Sequence, residues 1–173
     1  MSPIPQTVSL SPVAENESLQ IRHVAEKTWP TAYGDIITQR QIDYMLGWMY
    51  SLETLTREIR EGNIHYYWLE VPDRVGFLAI GPIERGRIAH LHKFYLLPDF
   101  QRSGYGSKAF AALFELLTEK GVSGVELRVN RNNQKAIAFY RKNQFEIIRE
   151  DCADIGGGFV MDDFIMFRSL KQS

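Results

Sequence analysis

Between residues 87 and 130 the chain passes through a strand pattern, a glycine turn, a helical pattern and a second strand pattern. "RIAHLHKFYLL" (87–97) is rich in β-branched and aromatic residues and stops at Pro98. From Gly104 to Lys120, Phe110, Leu113, Phe114 and Leu117 recur on one helical face, and Gly121 marks the stop. "VSGVELRVN" (122–130) reads as a buried strand. Strands joined through a helix lie parallel, with a right-handed crossover. This unit therefore requires a sheet holding a parallel pair, with a helix laid across it.

The flanking sequence fits around that unit. "TVSLSPV" (7–13) alternates weakly and predicts a first strand. "ENESLQIRHVAEKTW" spaces Leu19, Val24 and Trp29 as a helix, with Asn16 a candidate N-cap and Pro30 ending or bending it. "TQRQIDYMLGWMY" (38–50), capped by Thr38, and "SLETLTREIREG" (51–62), stopped by Gly62, predict two more helices. "NIHYYWLEV" (63–71) and "RVGFLAIGPI" (74–83), with "PD" turn chemistry between them, predict a hairpin. After residue 130, "NQKAIAFYRKN" (133–143) is a short helix, and "FEIIRE" and "FVMDDFIMF" across "DIGGG" form a closing antiparallel pair. The expected fold is α+β: one domain over residues 1–173, a mixed sheet covered by helices with one parallel crossover near its middle.

Composition excludes several function classes. Lys+Arg 20 against Asp+Glu 21 gives a net charge of -1, so bulk attraction to nucleic acid or an anionic membrane is not expected. No apolar run approaches the ~18 residues that would span a bilayer. The N-terminus lacks a basic stretch followed by an apolar core, which predicts a cytoplasmic protein without a secretory leader. The single cysteine, Cys152, excludes an internal disulfide and any CxxC metal or redox site, and no metal is expected. Cys152 is read as a buried small hydrophobe.

In "QRSGYGSKA" (101–109) the amides around Gly104 and Gly106 can turn toward a ligand, and the helix that follows adds orphan N–H groups and a positive dipole end. That is an anion cradle. "GYGSKA" also satisfies Gly-x-Gly-x-x-Ala with Glu126 downstream, the pattern of a nucleotide-binding oxidoreductase. However, "PDFQRS" separates strand from glycine, and too little chain follows for a doubly wound sheet. A phosphate-binding Gly-Lys-Ser/Thr order is missing as well.

Read as Gln-x-x-Gly-x-Gly after a strand ending in "LLP", the stretch resembles the pyrophosphate signature of the GCN5-related N-acetyltransferase family. "NQKAIAFYRKNQF" (133–145) is similar to the family's second hallmark, Asn-x-x-Ala-x-x-x-Tyr-x-x-x-Gly-Phe, with Gln144 in place of the glycine. The resemblance covers roughly 64 to 168. Within the family, "TW", "QIDYML", "AIAFY" and "GFVMDDF" look most like bacterial spermine/spermidine-type acetyltransferases.

The resemblance implies acetyl-CoA as cosubstrate. Its pantetheine arm would pair with the backbone of Phe94, Tyr95 and Leu96. Its pyrophosphate would rest on the amides of Arg102, Ser103, Gly104, Tyr105, Gly106 and Ser107, with Gln101 opening the loop and Asn133 touching the arm from the opposite side. Tyr140 matches the family's general acid, and the oxyanion donor would be an amide near Leu96. The acceptor would be a small-molecule amine, a polyamine first; a peptide amine and a non-catalytic acyl-CoA-binding module stay open. A homodimer through the last strands stays open too.

An amine with pKa near ~10.4 is mostly ammonium at neutral pH and needs a base. His90 and His92, two apart in a strand, are expected on one face, roughly 6.6 Å apart, together with Phe94 and Leu96. They are the candidate bases. Glu126 is a weaker alternative, and Arg128 stands where a peptide-acetylating branch carries an acid. Trp29, Tyr33, Tyr44, Trp48 and Tyr50, with Asp35, Asp43 and Glu53 nearby, suit a polyamine cation. His23 and His65 read as structural, and Asp162 and Asp163 as turn or surface residues.

Overall fold

The computed structural model describes residues 7–170; residues 1–6, part of the stretch read above as lacking a leader, lie outside them. β1 (Ser9–Pro12) is followed by α1 (Ser18–Tyr33), α2 (Gln39–Met49) and α3 (Leu52–Glu61). Then come β2 (His65–Glu70), β3 (Arg74–Gly81), β4 (Ile88–Leu96), α4 (Tyr105–Glu119) and β5 (Gly124–Asn130). α5 (Gln134–Lys142), β6 (Glu146–Gly156) and β7 (Phe159–Ser169) complete it. Thr38 accepts the expected capping bond from Gln41 N–H, Ser51 caps α3 by accepting from Thr54 N–H, and Gly62 ends α3 in the left-handed region. One expectation fails at α1: Asn16 sits inside a short 3-10 turn, and the Glu17 carboxylate takes the Ala14 N–H instead. Of the two effects expected of Pro30, ending the helix does not occur: α1 runs on to Tyr33, and Trp29 and Tyr33, ring centroids 4.7 Å apart, hold its last turn on the core.

The seven strands run in the order β1-β2-β3-β4-β5-β7-β6. Only β4 and β5 are parallel, with α4 as their crossover. Helices cover both faces of the sheet. Phe110, Leu113 and Leu117 of α4 and Ile137 of α5 pack with Leu78, Ile80 and Leu127 on one side. Ile21, Trp29, Ile42 and Leu55 of the first three helices pack with Trp68, Phe77 and Ala79 on the other. β3 is therefore apolar on both faces, which is why "VGFLAI" lacks polar alternation.

β4 departs from regular alternation. Ala79 of β3 pairs with Lys93 and Ile80 with Leu91, so His92 is an extra, unpaired residue: a β-bulge. Side-chain parity reverses there. Ala89 and Leu91 before the bulge, and Phe94 and Leu96 after it, all face α4 and α5. Lys93 and Tyr95 turn toward α1–α3. Beyond Leu91 and Leu127 the two parallel strands no longer pair, although β4 continues on β3 and β5 on β7. They splay into a wedge.

Gln144 has φ 70, and α5 ends with Phe145 N–H on the Tyr140 carbonyl (3.0 Å) and Gln144 N–H on the Arg141 carbonyl (3.0 Å). That is a helix stop with a left-handed residue where glycine is preferred. Gln144→Gly is expected to stabilise the protein by about 1 kcal/mol, read as a higher urea midpoint at unchanged slope. A destabilised variant would contradict the cap.

Candidate active site

The loop before α4 curls through two left-handed residues, Arg102 (φ 64) and Gly104 (φ 83). Among the described residues, no N–H from Arg102 to Ser107 donates a hydrogen bond to protein; the first such bond is Lys108 N–H to the Gly104 carbonyl. Six successive amides at a helix start thus lack acceptors, as phosphate binding requires. The glycines serve two different ends. Gly104 permits the positive φ, whereas a Cβ on Gly106 would lie 2.9 Å from the Phe139 ring, so Gly106 lets α4 approach α5. Gln101 folds back, its side-chain amide donating to the Leu96 carbonyl at 2.9 Å.

The wedge leads from this loop toward the middle of the sheet. Its walls include Phe94 and Tyr95 of β4, Val129 of β5, and Asn133 and Tyr140 of α5. Asn133 caps α5 by accepting the Ala136 N–H at 3.2 Å. Tyr140 packs against Phe110, Phe139 and Phe145, and its hydroxyl makes no hydrogen bond within the described residues. Burial, and secondarily Tyr33, raises its pKa well above the usual phenol value, so it holds its proton.

On the α1–α2 side the wedge opens into a cleft of about 200 Å³. Trp29 and Tyr33 of α1, Met45 and Met49 of α2, Met161 of β7 and the two histidines line it. The His90 and His92 ring centroids are 4.7 Å apart, and His90 Nδ1 lies 3.3 Å from Glu126 Oε1. Their shared face is as expected; its occupants are not. The bulge sends Phe94 and Leu96 to the opposite side of the sheet, so the histidines look at Trp29 and Tyr33 instead. Desolvation lowers the pKa of both, that of His92 to about 4 with His90 as the second cause.

Other expectations need correction. Asp163 is buried and lines the cleft, its Oδ2 3.1 Å from Nε of Arg128, which also holds Asp151 at 2.6 Å. Its parity with Met161 and Ile165, both facing α1–α3 or buried, was the signal that could have found it. Asp162 does lie outward, on Arg131. Cys152 is exposed, because β6 is the edge strand. The aromatic cage with Asp35, Asp43 and Glu53 does not assemble: Tyr50 is fully buried, Trp48 is 51% exposed, and the three acids are on the surface. Lys93, unremarked in the sequence, is a buried cation beside His92. Among the described residues no group of three or more His, Cys, Asp or Glu could hold a metal ion.

Residues 20–145 match the family model described as acetyltransferase (GNAT) family. The chain belongs to the GNAT acetyltransferases. It is an acetyl-CoA-dependent N-acetyltransferase. This acetyltransferase is 26% identical over 144 residues to a spermidine N(1)-acetyltransferase of Thermoplasma acidophilum, covering 80% of this chain and 86% of the relative. It is 30% identical over 141 residues to an N-acetyltransferase of Bacillus subtilis, covering 79% of each. Its fold is similar to that of the PaiA N-acetyltransferase of T. acidophilum solved with coenzyme A: TM-score 0.78, 23% identity, 94% of this chain and 99% of that one. The sheet order, with one parallel pair, leaves no place for the doubly wound dinucleotide fold.

No helix among the described residues is long and apolar enough to cross a membrane.

Proposed function

We propose that this acetyltransferase passes the acetyl group of acetyl-CoA directly to a small primary amine seated in the cleft, without an acyl-enzyme stage. One observation carries the reading: wedge and cleft share Tyr33, His92, Tyr95 and Arg128 in their walls, so an amine in one reaches whatever lies in the other. Acetyl-CoA supplies the acetyl thioester when bound. The open β4 edge at Phe94, Tyr95 and Leu96 would orient its arm, Asn133 would touch it from α5, and the free amides of 102–107 would hold its phosphates. Gln101 keeps the loop folded by holding the Leu96 carbonyl.

His92, neutral down to about pH 4, is too weak a base to strip a free ammonium, but its lone pair can take the proton that the attacking nitrogen sheds once it is bonded to the acetyl carbon, directly or through water. His90, beside Glu126, is its neighbour and alternative. Tyr140, held protonated, gives its proton to the departing sulfur. Cys152 lies outside both cavities and takes no part.

A polyamine is the acceptor favoured by the similarity to a spermidine acetyltransferase. In the cleft, Trp29 and Tyr33 offer aromatic faces, while Arg128 already occupies the Asp163 carboxylate. A monoamine is therefore the necessary second arm of any panel. The test supplies acetyl-CoA with diamines, polyamines, monoamines and peptides and records free thiol. Release with a small amine is expected, with a rate that falls steadily as pH drops below the acceptor's own pKa near ~10.4 and shows no added break at a histidine midpoint near 6.5. His92→Ala should lower kcat by about a hundredfold. Protein that binds acetyl-CoA yet releases no thiol with any amine would refute the reading, and release with peptides alone would reassign the acceptor.

A further inference from the structure

A buried cation beside the candidate base calls for a physical account. Lys93 follows the bulge residue His92 directly and is only 6% exposed. Its Nζ donates to the Tyr66 hydroxyl at 2.6 Å, and that hydroxyl donates to Glu58 Oε1 at 2.6 Å. Nζ also stands 3.5 Å from the same carboxylate oxygen and 3.5 Å from the Met49 carbonyl. It lies 4.4 Å above the Tyr50 ring. One ammonium thus ties the bulge of β4 to the end of α2, to α3 and to β2. Packing alone does not require it: burying a charge costs several kcal/mol, and a well-packed apolar side chain of similar volume is often as stable. Methionine would fill this space. A charge kept at such a place, one residue from the group that must stay unprotonated, has an electrostatic use.

We propose that Lys93 and Glu58 form a buried charge pair that seats the β4 bulge and sets the electrostatic surroundings of His92, the bulge residue that precedes Lys93. Lys93 acts here as a positioning residue, not a catalytic one. The proposal rests on His92 being the base only for its consequence in turnover; the electrostatic coupling stands apart from it. The other groups around His92 are accounted for. His90 shares its strand at 4.7 Å between ring centroids and leans on Glu126, which Arg149 of β6 approaches at 3.8 Å. Arg128 of β5 is held by Asp163 of β7 and Asp151 of β6. Tyr33 of α1 and Tyr95 of β4 are uncharged, their hydroxyl oxygens 3.1 Å apart. Lys93 and Glu58 remain as the pair whose balance a single substitution can upset, Lys93 reaching the cleft wall only at the Met49 main-chain carbonyl. Desolvation is the largest cause of the low His92 pKa, and Lys93 and Glu58 act on it with opposite signs.

The test is a histidine NMR titration of the free, full-length protein, with acetyl transfer measured in parallel. Lys93→Met leaves Glu58 unopposed, and the His92 midpoint is expected to rise by about one unit. Lys93→Met combined with Glu58→Gln removes both charges, and the midpoint should return to within about half a unit of wild type. A packing role alone would leave the double variant at least as disturbed as the single one. An unmoved midpoint in Lys93→Met, or no return in the double variant, overturns the proposal. If Lys93→Met does not fold, Glu58→Gln decides: with Lys93 unopposed the midpoint must not rise. Altered midpoints in a protein that transfers no acetyl group would uphold this inference while refuting the proposed reaction.

Discussion

Tyr140→Phe is expected to lower kcat by about a hundred- to a thousandfold while leaving the KM for acetyl-CoA within about twofold of wild type. The substitution deletes one oxygen and keeps the ring, so the contacts with Phe110, Phe139 and Phe145 persist. Because the hydroxyl makes no hydrogen bond within the described residues, its removal leaves no buried partner unsatisfied, and the folded protein should be as stable as wild type. What is lost is a proton donor that burial keeps loaded. Steady-state rates beside a thermal melt would check both halves. Full turnover in the variant would remove Tyr140 from the chemistry, and tight acetyl-CoA binding with little turnover in wild type would instead favour a binding module.

Phe110→Ala is expected to have the largest effect on stability, a loss of about 4 kcal/mol. The ring is fully buried and has aromatic neighbours on three elements: Phe94 of β4 at 4.6 Å, Phe114 of α4 at 5.3 Å and Phe139 of α5 at 5.2 Å. Phe145 (5.8 Å) and Tyr140 (6.1 Å) complete the cluster. Alanine would leave a cavity at the place where the crossover helix, the splayed strand and the helix of the candidate acid meet. With typical domains only about 5–15 kcal/mol stable, such a loss is a large fraction of the total. Urea unfolding gives the value directly. A loss below about 1 kcal/mol would mean that α4 and α5 can close over the gap. Activity should fall as well, since Tyr140 loses a stacked neighbour.

The element order could be read from local signals. Glycines at 62 and 121, Thr38 and Ser51 as caps, and the alternation around "PD" each act within a few residues and do not depend on distant chain. The glycine loop was legible for the same reason, though half of its logic was hidden: Gly106 answers to Phe139, 33 positions away, not to the ligand. Asn16 as a cap and Pro30 as a helix end show how local signals lose. Glu17 and the Trp29–Tyr33 contact offered stronger partners.

Periodicity, turn residues and the two spaced motifs were enough for the fold and the family, because each is written in residues close together in the chain. The side chains that share the histidines' face and the Lys93–Glu58 pair were not written there. A strand's alternation is preserved or reversed by the strand beside it, and the extra residue at His92 exists only in relation to Ala79 and Ile80 of β3. One unpaired residue moved every later side chain of β4 to the other face, and cross-strand register is a property of the packed sheet.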